Sequence, residues 1–405
     1  MRFLRITEPS TTGFGYFVPR LAAAVLFAAA IITCASAEGV GPLIISKQGH
    51  FFIGGKYVDT PNGLVMAGHA YVEYQVPQQQ THPFPIVMIH GCCPSGSGWT
   101  GTPDGRDGWA QYFLSKGYAV YIMDQVGRGR SAYVDSVYGP NNPKAPKFVE
   151  REFIAYERYN LFPQARLHTQ WPGTGTVGDP IFDQFQAEML PDFADRTLRE
   201  VLNRDAGVAL LDKIGPALVM PHSQAGPYAY LMADARPALV KALLMIEAGT
   251  SSFYEVVHVG APDWFKDGGL SKPYGITRIP ITYAPAVNDP SEIAIDRQAK
   301  ADAPDLARCW RQKEPARQLP NLKNIPVLLL HAEASFAMPT AHCNAAYLKQ
   351  AGVDNDFVRL ADLGIHGNGH FMMLEKNNLQ IAEVIADWLR KRVTPIEAQR
   401  KNGTP

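Results

Sequence analysis

Five short, almost unbroken apolar runs, at residues 85–89, 119–123, 217–220, 242–246 and 326–330, constrain what this chain can fold into more than any other feature. A strand with one face in water alternates apolar and polar residues, whereas a run without polar interruption must be covered on both faces, as strands of a parallel sheet are. Stretches with helical spacing lie between these runs, at 109–115, 227–235, 341–350 and 381–391. The pattern reads as βα repeats wound into one mostly parallel sheet with helices on both faces, an α/β architecture. There is no internal repeat.

An antiparallel start is expected ahead of this unit. Residues 51–53 and 56–58 flank Gly54-Gly55, a two-residue hairpin signal, and residues 70–76 alternate like a further strand. Two connections, near 131–215 and 250–324, are too long for simple crossovers. The first is rich in aromatic residues, among them Tyr133, Tyr138, Phe148, Phe153, Tyr156 and Trp171. Irregular aromatic insertions above strand ends read as a cap over a pocket. Taken singly, each ring is expected to pack the insertion against the core rather than to touch a ligand.

Arg2, Arg5 and Arg20 precede an apolar run at 21–32, and Ala35-Ser36-Ala37 follows as a small-x-small cleavage site. The run is shorter than the roughly 20 residues that span a bilayer. Residues 1–37 are therefore expected to be a cleaved secretory signal, leaving a domain at 38–405 with no stable membrane anchor, in the periplasm or the medium. The stretch from Thr394 onward is polar and should fray. With 38 basic and 38 acidic residues the formal charge is zero, which offers no electrostatic footprint for nucleic acid and points to a neutral or apolar small molecule. Five cysteines less Cys34 of the signal leave Cys92, Cys93, Cys309 and Cys343, an even set that reads as two disulfides in an oxidising compartment. No C-x-x-C or His/Cys cluster has zinc spacing, so neither a metal nor a cofactor is expected.

The chemistry is concentrated at strand ends. The apolar run at 217–220 leads into Pro221-His222-Ser223-Gln224-Ala225-Gly226 and then a helix, the context of a nucleophile elbow, in which a serine stands on a strained turn at the top of a sheet. Pro221 and Ala225 occupy the places where glycine is usual, and taken alone Ser223 could be a helix N-cap. The run at 85–89 ends in His90-Gly91-Cys92-Cys93, where such a sheet supplies an oxyanion-hole N–H; the N–H after the nucleophile, that of Gln224, supplies another. The D-x-x-G-x-G-x-S run at 124–131 reads as a structural turn. A Gly-rich loop ending in His370 precedes the last helix, where a general base would sit.

On these ordered motifs residues 50–392 resemble an α/β-hydrolase. More narrowly, His90-Gly91-Cys92-Cys93, His222-Ser223-Gln224, Glu247-Ala248-Gly249-Thr250 and Gly367-Asn368-Gly369-His370 are similar to a group of secreted bacterial serine esterases. The resemblance implies hydrolysis of carboxylic esters and a vicinal Cys92–Cys93 disulfide at the oxyanion hole, which leaves Cys309 to Cys343. Free thiols, or separate bonds from Cys92 and Cys93 to the other two, are the alternatives. Most members of the fold carry the triad acid after the strand matching 326–330, yet here that turn reads Ala332-Glu333-Ala334-Ser335, with Ser335 in the usual carboxylate slot. The resembling esterases carry a glutamate at the end of the preceding strand, so Glu247 is preferred to Glu333. His370 is preferred to His366 as base because Phe371 and Glu375 follow it in the usual pattern.

The expectation is a Ser223-His370-Glu247 triad acting through an acyl-enzyme on a small-molecule ester. Amide, lactone or carbon-carbon hydrolysis would use the same machinery, and a non-catalytic binding module on a hydrolase scaffold is the reading from another class. No motif fixes the natural substrate or separates a monomer from a dimer.

Overall fold

Side chains along the central strands alternate between two apolar layers, and helices from both sides cover them. The computed structural model describes residue 39 and residues 41–393; the expected signal at 1–37 and the tail beyond 393 lie outside the described residues. In chain order the principal strands are β1 (Ile45–Thr60), β2 (Gly63–Pro77), β3 (Ile86–Ile89), β4 (Val120–Met123), β5 (Ala217–Pro221), β6 (Val240–Ile246), β7 (Phe253–Gly260), β8 (Trp264–Lys272), β9 (Val327–His331) and β10 (Asp356–Arg359). The principal helices are α1 (Trp109–Ser115), α2 (Arg196–Ile214), α3 (Gly226–Ala235), α4 (Met338–Gln350) and α5 (Asn378–Arg392). Eight strands form one sheet in the order β1-β2-β4-β3-β5-β6-β9-β10, while β7 and β8 pair with each other. From β4 to β10 every pairing is parallel, and β1 and β2 add an antiparallel edge.

Ile86, Met88, Ile122, Met220, Leu244 and Leu330 face α1 and α5, which contribute Trp109, Phe113, Ile381 and Ile385. Val87, Ile89, Val219, Leu243 and Leu329 face the opposite layer, with Leu210 of α2, Ala229 of α3 and Tyr347 of α4. Both faces are covered, so neither tolerates polar residues, and the apolar runs mark these strands to within two residues. This is the α/β-hydrolase arrangement expected from the sequence.

The hairpin at Gly54-Gly55 is a misreading. β1 runs straight through both glycines, Gly54 pairing with His69, and the turn is at Pro61-Asn62, where Thr60 pairs with Gly63. The Thr60 hydroxyl donates to the Gly63 carbonyl at 2.8 Å and accepts from the Asn62 N–H at 3.2 Å, closing the turn locally. Gly55 has φ +78°, and a Cβ there would lie 2.8 Å from His69 Cβ, so the pair serves close backbone approach within the ribbon and not reversal.

The first long connection also ends sooner than expected. Its last part is α2, a 19-residue helix capped by Asp195, whose carboxylate accepts from the N–H groups of Thr197 and Leu198 at 2.9 Å each. It closes at Gly215, φ +82°. The irregular insertion therefore spans about 131–195. Strand β10 was not foreseen either, because Asp356 and Arg359 interrupt a half-buried edge.

Most rings of the first insertion are packing residues, as expected: Tyr138, Tyr156, Trp171, Phe182 and Phe185 are buried. Polar contacts tie the insertion to the loop that carries His370. Buried His168 approaches Glu375 Oε1 at 2.7 Å through Nε2 and Glu157 Oε2 at 3.5 Å through Nδ1. Glu375 also accepts from Gly369 N–H at 2.9 Å and from Asn368 Nδ2 at 2.7 Å. Burial alone would lower the pKa of His168; the carboxylates of Glu157 and Glu375 outweigh it and raise it to about 9.

Two predictions follow from this junction. Raised from its ordinary 6.5 to about 9, His168 contributes stability that is full below pH 6.5 and is lost as pH rises through 9. The unfolding free energy from urea titration should therefore fall across this window, by on the order of 1 kcal/mol per pH unit, and His168→Gln should flatten the slope. An equal slope in that variant would show that His168 does not carry it. A Cβ at Gly369 would lie 1.7 Å from the Tyr156 hydroxyl oxygen. Gly369→Ala should thus cost about 1–3 kcal/mol by overpacking, with Tyr156→Phe added to it restoring part of the loss in thermal unfolding.

Candidate active site

Strand β5 delivers Ser223 to the carboxyl edge of the sheet. Pro221 still pairs with Ile89, the His222 N–H donates to the Ile89 carbonyl at 2.9 Å, and the next residue turns sharply, with Ser223 at φ +50°. A non-glycine residue in the left-handed region is strained, and it persists here because strand and helix fix both flanks. Small residues surround the turn: Ala225 is fully buried, and a Cβ on Gly226 would already press on Ala248 at 3.1 Å.

His370 and Glu247 meet the serine from other parts of the chain. His370 Nε2 lies 2.8 Å from Ser223 Oγ, and its Nδ1 lies 3.2 Å from Glu247 Oε2. Glu247 follows β6 and, like Ser223 on the adjacent strand, has φ +50°. It is buried, yet its carboxylate is well supplied with donors: Ala332 N–H at 2.6 Å and the Ser335 hydroxyl in addition to His370. His331 Nδ1 stands 3.7 Å away, beyond hydrogen-bond range but close for a charge. Burial alone would raise the pKa of Glu247; His331 and His370 beside it outweigh that and hold it at about 2, so the group is ionised at neutral pH.

The rival residues come together elsewhere. Glu333 Oε1 lies 3.1 Å from His366 Nδ1, and Oε2 accepts from the Gly367 N–H at 2.9 Å. The His366 side chain is 63% exposed, and this pair braces the outside of the base loop. Ser335, in the slot where most relatives of this fold have their acid, donates to Glu247 and accepts from Ala337 N–H at 3.1 Å. The sequence marked its position as vacant; its role as a partner to the acid becomes visible only when β6 and β9 are neighbours.

The turn after β3 is held with equal care. The Gly91 carbonyl receives His90 Nδ1–H at 2.9 Å and Arg128 Nη1–H at 3.2 Å, while the Gln125 N–H donates to His90 Nε2 at 2.9 Å. Burial lowers the pKa of His90 to about 4, so the ring is neutral and this tautomer is fixed by its two partners. In a trans peptide the N–H points opposite the C=O, so a clamped Gly91 carbonyl fixes the direction of the Cys92 N–H. The 124–131 turn, read as structural, thus supplies two residues that orient this wall. Arg128 is balanced by Asp192 at 2.6 Å, which also pairs with Arg199 of α2. Cys92 is disulfide-bonded to Cys93, and Cys309 to Cys343, a link of the second insertion to α4. Buried His222, quoted in the elbow motif but given no role of its own there, lies with Nε2 2.9 Å from the His370 carbonyl; burial, with His370 beside it, lowers its pKa to about 3, so it braces His370 as a neutral donor.

Ser223, His370, Cys92 and Gln224 line one cavity of about 570 Å³, a volume suited to a small organic ligand. Both long insertions contribute to its wall, with Lys144 and Phe148 from the first and Val256, His258 and Lys272 from the second. Phe153 and Phe336 flank the His370 ring, at centroid distances of 5.8 and 4.2 Å. Among the described residues no helix is long and apolar enough to cross a membrane.

No protein-family model matches the chain. Among curated proteins, the probable secreted lipase phiG of Fungal sp. (strain ATCC 74256) is 44% identical over 343 residues, which cover 84% of this chain and 89% of that protein. Among solved structures, a bacterial esterase is 27% identical, with a TM-score of 0.58 over 87% of this chain and 98% of the other. Likeness of this extent, joined to the sheet order, the elbow and the vicinal disulfide, places the chain in the α/β-hydrolase superfamily and, within it, among the carboxylic ester hydrolases.

Proposed function

We propose that the protein is an exported serine esterase that works through an acyl-enzyme on Ser223, with His370 as general base and Glu247 as the acid of the triad. The observation that carries this reading is the continuous contact from Ser223 Oγ to His370 Nε2 at 2.8 Å and from His370 Nδ1 to Glu247 at 3.2 Å. In this mechanism His370 takes the Ser223 proton as Oγ attacks the ester carbonyl. Glu247 holds the imidazole in the required tautomer and stabilises its charged form. The imidazolium then protonates the departing alkoxide, and a water deprotonated by His370 releases the acid.

The oxyanion is assigned to the backbone N–H groups of Cys92 and Gln224. The clamped Gly91 carbonyl supports the first, and the position directly after the nucleophile supports the second. The insertions near 131–195 and 250–324 act as the cap in this reading, since both contribute to the cavity wall. Export is supported by the leader-like residues 1–37, by two disulfides and by the relative described as secreted.

Ser223→Ala and His370→Ala should each lower turnover of a short-chain 4-nitrophenyl ester by on the order of 10⁴-fold or more, with fluorophosphonate labelling lost in the serine variant. Glu247→Gln should reduce it by on the order of 10³-fold, and Glu333→Gln by less than about tenfold. A severe Glu333 variant beside a mild Glu247 variant would reverse the assignment of the acid. Replacing both Cys92 and Cys93 by Ala should cost turnover about tenfold or more through looser presentation of the N–H, with the circular dichroism spectrum retained. Full turnover in that double variant would remove the catalytic value of the disulfide.

A further inference from the structure

The formal charge of zero averages over the whole chain and conceals a local excess. Five cationic residues line the active-site cavity: Lys144, Arg196, Arg199, Lys272 and Arg278. Two of them are ion-paired, Arg199 with Asp192, which it shares with Arg128, and Arg196 with Glu255. Of the two other carboxylates that line the cavity, Glu247 is engaged by Ala332, Ser335 and His370, and Glu200 has Oε2 occupied by the backbone N–H groups of Arg278 and Ile279, at 2.7 and 2.9 Å. Lys144, Lys272 and Arg278 make no ion pair among the described residues.

Lys272 is the most telling of the three. It stands at the end of β8, and its ammonium donates only to neutral oxygens, the Thr250 hydroxyl at 3.4 Å and the Ser251 carbonyl. These residues follow Glu247 directly in the loop after β6, so the cation belongs to the same strand-end surface as the triad. A partly buried ammonium with only neutral acceptors is poorly compensated, and a carboxylate that reaches it gains a charge-assisted hydrogen bond. An aliphatic chain placed there gains nothing comparable.

We infer that the substrate is an ester that carries a carboxylate elsewhere in the molecule, held by Lys272 with Arg278 beside it while the ester carbonyl lies at Ser223. The inference rests on the serine-esterase reading and narrows its substrate class. The electrostatic surroundings agree. Burial lowers the pKa of Lys272 to about 8, with Arg278 pushing the same way and Glu200 of α2 and Glu255 of β7 opposing. The ammonium is therefore present at neutral pH and open to further stabilisation by an incoming anion.

The test compares kcat/KM for matched pairs at low salt: 4-nitrophenyl glutarate against 4-nitrophenyl valerate for an anion on the acyl side, and O-acetyl-4-hydroxybutyrate against butyl acetate for one on the alcohol side. In at least one pair the anionic ester should be preferred by about ten- to hundredfold. That ratio should fall about tenfold in Lys272→Met, be largely kept in Lys272→Arg, and shrink in the wild type as pH rises from 7 to 9. A neutral partner equal to or better than its anionic counterpart in both pairs overturns the inference, whatever the variants do. So does a ratio unmoved by both Lys272→Met and Arg278→Leu. Failure to hydrolyse any of the four esters, or hydrolysis that survives Ser223→Ala, would instead overturn the serine-esterase reading beneath it.

Discussion

A carboxylate sealed from water has to remain charged, and the site is built around that demand. Glu247 is 1% exposed, and in a medium of low dielectric its negative charge is tolerable only with donors on every open lone pair. The Ala332 N–H and the Ser335 hydroxyl meet that demand from the turn after β9, and the His370 ring meets it from its own loop. Satisfying one charge therefore ties two separate segments to the end of β6. His370 is aimed at Ser223 as a result of that arrangement, and ionisation and geometry have the same cause.

Strand adjacency explains how, in the proposed triad, the acid can stand after β6 when the fold more often has it after β9. In the parallel sheet Ile246 pairs with Leu330, so the residues that follow each strand emerge side by side, about 4.8 Å apart. A histidine above the sheet can be reached from either end. A glutamate on β6 reaches it with one residue in a left-handed conformation, and a serine suffices on β9 to complete the carboxylate's hydrogen bonds. The two strand ends thus share one task, and only the longer side chain has moved.

What was legible in the sequence follows from which positions answer to local rules. The five inner strands could be read because burial on both faces excludes polar residues, and the elbow because its turn demands small neighbours. Strand β10 was hidden by its edge position, and α2 by Arg199, Glu200 and Asn203, polar residues on its buried side that break the apolar stripe. The Gly54-Gly55 pair misled because close approach and chain reversal ask for the same residue. The meeting of Ser223, His370 and Glu247 could be anticipated, yet the partners of Ser335, His222 and His168 could not. Their roles exist only through partners distant in sequence, at separations of 88, 148 and 207 residues.

Asp192 joins two parts of the enzyme that are usually thought of separately. Its carboxylate is shared by Arg128, which braces the Gly91 peptide, and by Arg199, which belongs to the wall of the ligand cavity. In the proposed mechanism, selectivity and rate therefore draw on one shared carboxylate. A redesign that recharges the α2 side of the cavity would redistribute Asp192 between its two guanidinium groups and loosen or tighten the peptide that faces the reacting carbonyl. On this reading the choice of substrate and the speed of its turnover are linked through one carboxylate.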